Sequence, residues 1–134
     1  MNYDSLNYNS YEDGTEYFTI ETLISLCKQY SSFKFKFFDT EYTVGDLCSW
    51  RGSYDIPSIT YITGNKTGKE IAEQLEEQLK QKHYGYKGGE NTYYLEDVFY
   101  VSLWGSCQEF KVVGFEVDKD SEDTILLMTK IDKY

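Results

Sequence analysis

The sequence predicts an α+β fold, two helices packed on a mostly antiparallel sheet, and three observations predict it. Two stretches repeat apolar residues at helical spacing, several others repeat them at strand spacing, and short acidic or glycine-bearing turns separate the later strands. A chain of 134 residues is long enough to bury a core without staples, so one domain is expected. Residues 1–16 read as a loose arm and 17–134 as the α+β unit.

The arm is polar, with tyrosines set among Asn, Asp, Ser and Gly, and would order only under a partner. From Thr19 to Tyr30, Ile20, Leu23, Ile24 and Cys27 fall on one face of a helix that Ser31-Ser32 ends. Phe33, Phe35 and Phe37 then alternate with lysines, the period of a strand with one apolar face. Asp39 to Gly45 reads as a turn and a short extended piece, and Ile56 to Ile62 as a strand broken by Gly64-Asn65. Thr67 and Glu70 have the spacing of a capping box. The helix they open carries a narrow stripe of Ile71, Ala72, Leu75 and Leu79, runs to about Lys82, and turns its Glu/Lys-rich face to water. Thr92 to Leu95, Val98 to Leu103, Phe110 to Val117 and Thr124 to Ile131 are expected as strands.

Composition narrows the function. A formal net charge of −10 argues against direct DNA or RNA binding and against an anionic membrane surface, yet leaves a small anionic ligand possible in a locally basic pocket. Fourteen tyrosines exceed what one core of this size needs, and tyrosine is enriched at interfaces. Cys27, Cys48 and Cys107 are widely spaced and form no C-x-x-C pair, so neither zinc nor a redox motif is indicated and a reducing cytoplasm is expected. No signal-peptide pattern and no apolar run of spanning length is read.

Two stretches are built to hold something. His83 to Asn91 (His-Tyr-Gly-Tyr-Lys-Gly-Gly-Glu-Asn) follows the second helix. Gly88 and Gly89 allow successive backbone N–H groups to converge into an anion nest, Lys87 adds a full charge, and Tyr84 and Tyr86 offer flat faces. The bland alternative is a helix cap at Gly85 and a hairpin turn at Gly88-Gly89. The second stretch, Cys48 to Asp55, holds the sole arginine. Arg51, beside a glycine, can bring its planar fork to phosphate oxygens, with Trp50 or Tyr54 stacking nearby; the alternative is a surface pair with Asp46 or Asp55. Catalytic readings fare worse. His83 is the only histidine, which excludes a two-histidine phosphodiesterase, and a Cys–His pair would need Cys48 or Cys107 beside it. No catalytic residue, metal site or cofactor is expected.

Taken together, Ser49-Trp-Arg-Gly-Ser-Tyr-Asp55 and Gly85-Tyr-Lys-Gly-Gly-Glu90, joined by a helix, resemble the signature of the first class of phage anti-Thoeris sponge proteins. The likeness spans roughly residues 45 to 117 and includes length and two-helix α+β make-up. It implies sequestration without chemistry. Such sponges bind glyco-cyclic ADP-ribose, the signal of a TIR-domain enzyme, in the cytoplasm of the infected bacterium. Their pockets lie at homodimer interfaces, and some hold cyclic oligonucleotides in higher assemblies of dimers. Carried over by motif, Arg51 and Lys87 would face the diphosphate and Gly88 and Gly89 would bring N–H groups close. Asn91 would bond base or ribose, Tyr86 would pack on the ligand, and Tyr54 would line the same pocket. His83 departs from the pattern, standing where an aromatic residue is expected, and would stack in its place. Two other readings remain: an acidic DNA mimic blocking a nucleic-acid-binding defence enzyme, and a structural subunit using its tyrosines.

Overall fold

Thr19 opens the first helix. In the computed structural model, which describes residues 18–50, 53–84, 90–102 and 110–131 (the side chains of 53, 54, 84 and 131 apart), its hydroxyl accepts from the N–H of Thr22 at 3.1 Å. Helix α1 (Ile20–Gln29) buries Ile20, Leu23, Ile24, Leu26 and Cys27, the stripe the spacing predicts plus one residue. Helix α2 (Gly68–Leu79) starts on the expected box: Glu70 N–H donates to the Thr67 hydroxyl and the Glu70 carboxylate accepts from Thr67 N–H. It ends before Lys82, because Lys80 and Gln81 N–H groups turn back to Glu77 and Gln78 in a tighter final turn. None of the described helices is long and apolar enough to cross a membrane.

The strands are β1 (Lys34–Phe37), β2 (Tyr42–Trp50), β3 (Ser53–Thr63), β4 (Lys66–Thr67), β5 (His83–Tyr84), β6 (Glu90–Asn91), β7 (Tyr100–Ser102), β8 (Phe110–Val117) and β9 (Thr124–Ile131). Seven form one sheet in the order β2-β3-β7-β8-β9-β1-β4, parallel only at β3–β7 and β1–β9, while β5 and β6 make a separate hairpin. The fold is therefore α+β with a mostly antiparallel sheet. The sheet curls until β2 returns beside β1, where the buried Thr43 hydroxyl donates to the Phe35 carbonyl at 2.6 Å. Phe35, Phe37, Val44, Ile59, Val101, Val112, Phe115, Ile125 and Leu127 fill the inside with the helices' apolar faces. The helices meet the end of the curl where β1 and β7 begin: Gly68 N–H donates to Phe33 O, and Thr19 bridges Val98.

Two expectations change. Thr92 to Leu95 is not a strand; the segment 95–97 that follows it serves α1, with Glu21 N–H donating to Leu95 O and Ile20 N–H to Asp97 O. The short extended piece near Gly45 is a nine-residue strand, bulged between Val44 and Leu47. The bulge draws on the α2 face assigned to water. Gln78 Oε1 accepts from Leu47 N–H at 2.8 Å, and Gln74 Nε2 donates to Gly45 O at 2.7 Å. The arm over residues 1–16 lies outside the described residues.

Candidate functional site

Strand pairing decides where the two stretches sit. Trp50 is the register partner of Ser53 across β2 and β3, and Arg51 and Gly52 stand between them in the sequence. His83 pairs with Asn91 and Tyr84 with Glu90, an antiparallel pair, and since α2 ends at Leu79 its C-cap is Lys80 and not Gly85. Arg51, Tyr86, Lys87, Gly88 and Gly89, and the Tyr54 side chain, lie outside the described residues.

The described residues bring these two strand pairs together. Tyr93, almost wholly buried, donates its hydroxyl to Ser49 Oγ at 2.6 Å. The His83 ring lies on Tyr93, with centroids 5.1 Å apart and planes 30° apart. His83 thus touches the residue that grips β2 two positions before Arg51. Its Nε2 lies 2.9 Å from the Gln78 carbonyl, which can only accept, so this nitrogen carries the proton and helps cap α2. Asn91, half-buried, stands opposite it, and Glu90 pairs with Lys82 at 3.3 Å. Tyr93 and Ser49 are missed by sequence reasoning. The only available hint is that Ser49 opens the first motif and Tyr93 follows the second, which ends at Glu90, with two residues between.

Trp50 does not offer a stacking face of the kind expected. It stacks on Tyr100 with centroids 4.4 Å apart, and the Lys111 ammonium lies 5.0 Å from the centre of the Tyr100 ring. All three are buried, so the tryptophan anchors the end of β2 to β7. Asp46, a suggested partner of Arg51, accepts from Gln74 and Gln78 at 3.0 and 2.8 Å.

The thiols are poorly placed for nucleophilic work. Burial drives Cys27 far above the ordinary thiol range, and burial with the Asp46 charge pushes Cys48 up to about 11, a hydrogen bond with Ser58 offsetting part. Both are protonated at neutral pH, whereas the thiolate is the attacking form. Cys107 lies outside the described residues. Among the described residues no three His, Cys, Asp or Glu side chains gather as a metal site. No family model, curated protein or solved structure matches this chain.

Proposed function

We propose that this protein binds and sequesters a cyclic ADP-ribose-type nucleotide without cleaving it, acting as a sponge against TIR-based anti-phage defence. The observation that supports the reading is the junction of Ser49, Tyr93 and His83, which joins the end of β2 to the β5–β6 pair. A diphosphate ligand needs a basic fork and convergent N–H groups, and a base needs a flat face. Arg51 with Lys87, Gly88 with Gly89, and Tyr86 with Tyr54 supply these, while Asn91 bonds base or ribose. His83 contributes by holding the hairpin and by the ring edge turned away from Gln78.

The short loops cannot enclose such a ligand alone, so the pocket is completed by a second copy in a homodimer. The acidic-mimic reading gains less. Glu41, Glu76, Glu77 and Glu90 each lie within 4 Å of a lysine ammonium, which breaks up the rows of charge a DNA mimic needs.

Calorimetric titration with glyco-cyclic ADP-ribose tests the proposal, followed by heat release of the ligand. Nanomolar binding, about −12 kcal/mol, with intact nucleotide recovered is the expected result. Absence of binding, or recovery of a hydrolysed product, removes the sponge reading.

A further inference from the structure

The open end of the curled sheet, opposite the helices, holds a cavity of about 170 Å³. Six strands of the sheet contribute to it: Phe37 ends β1, Tyr42 begins β2, Tyr61 lies near the end of β3, Val101 lies on β7, Phe110 begins β8 and Thr129 lies near the end of β9. Thr40 completes the lining with its hydroxyl already engaged, donating to Phe37 O at 2.8 Å and accepting from Tyr42 N–H at 3.1 Å. Among the described residues, no carboxylate, ammonium or guanidinium lines the space.

Four of the seven described lining side chains are aromatic, and three of them, Phe37, Tyr42 and Tyr61, are already arranged edge to face. Tyr61 meets Tyr42 with centroids 4.9 Å apart at 65° and Phe37 at 6.0 Å and 67°. Another ring seated among them extends this array, its edge on one face and its face against another edge. The volume sets the size. An apolar cavity of about 150 Å³ accepts benzene, and ordinary ligand pockets start at roughly 300 Å³, so a dinucleotide does not fit. A phenol is uncharged at physiological pH, and burial and the neighbouring Tyr42 raise that of Tyr61 further.

We propose that this mouth binds a small uncharged aromatic molecule of one ring or a fused pair, between phenol and indole in size. It is separate from the nucleotide reading. Strand β2 starts at the cavity with Tyr42 and ends at Trp50 beside Arg51, a span of roughly 26 Å at about 3.3 Å per residue.

The test is an NMR titration of the full chain with phenol, indole and, as an aliphatic control of phenol's size, cyclohexanol. Saturable shifts confined to Phe37, Tyr42, Tyr61 and Val101 are expected, with cyclohexanol weaker by roughly two- to tenfold, the worth of an aromatic pair. Thr129→Trp plugs the mouth from its exposed rim and Val101→Phe fills it from within. Either variant that keeps the folded spectrum should weaken phenol and indole at least tenfold and leave nucleotide binding unchanged. Shifts absent up to the solubility limit, shifts spread over other surfaces, equal binding of cyclohexanol, or indifference to the plug would each overturn the proposal. The phenol–cyclohexanol comparison stands on the unaltered chain even if neither variant folds.

Discussion

Among the described residues, Gln78 ties together α2, the β2 bulge and β5. Its side-chain oxygen satisfies Leu47 N–H, its amide nitrogen donates to Asp46, and its backbone carbonyl accepts from His83. Gln78→Ala leaves the N–H at the β2 bulge without this partner and should cost about 1–3 kcal/mol, read from urea unfolding. Cys48 gives a pH prediction. Its folded pKa of about 11 lies above the ordinary 9.0, so the folded chain keeps a proton that the unfolded chain releases. Stability from this group is complete below pH 9 and falls as pH rises to about 11, by at most about 2–3 kcal/mol. Comparing the wild type with Cys48→Ser across that window checks it: the serine variant should lose the part of the slope due to this thiol. For binding, Arg51→Ala should weaken the nucleotide by on the order of 2–5 kcal/mol with little change in folding, as for a lost charge partner. Unchanged affinity by calorimetry would take Arg51 out of the site.

At the scale of elements, the decisive contact is between the helices. A Cβ on Gly68 would run into the carbonyl oxygens of Cys27 and Tyr30, backbone atoms that cannot swing aside. The same glycine donates its N–H to Phe33 O, so the start of α2 is locked onto the turn after α1. Gly68→Ala therefore trades its better helix propensity for a clash and should destabilise by about 1–3 kcal/mol or more. A melting temperature equal to the wild type's would show that the helices can part at no cost. Lys28 and Glu76, 3.0 Å apart across the same pair, are exposed and should matter far less.

At the scale of the whole molecule, the tyrosine surplus is smaller than composition suggests. Tyr93 and Tyr100 are buried, and Tyr30, Tyr42 and Tyr61 pack against the core, so the fold itself uses these five. Tyr94, 57% exposed beside Leu95 and Val98, illustrates the kind left for contact with a second chain. The proposed dimer should appear in light scattering at micromolar protein. A monomer that binds the nucleotide at full affinity would refute the shared pocket while leaving sequestration intact.

The sequence by itself determined what a turn or two of chain can decide. The α1 stripe, the Thr67–Glu70 box and the limits of β8 and β9 follow from side-chain period and capping, which need no distant partner. The two glycine-bearing motifs were legible as well, because glycine and a sole arginine mark their own positions. Tertiary structure alone decided what lies beside what. That β1 pairs with β9 and β3 with β7, that Tyr93 reaches Ser49, and that two glutamines complete a bulged strand all join segments far apart in the chain. Such contacts form only when the whole assembly repays the entropy of closing long loops, and no local pattern records that balance. Thr92 to Leu95 shows the limit most plainly: its residues suit a strand, but its end is tied to the start of α1, whose N–H groups take the carbonyls of Leu95 and Asp97.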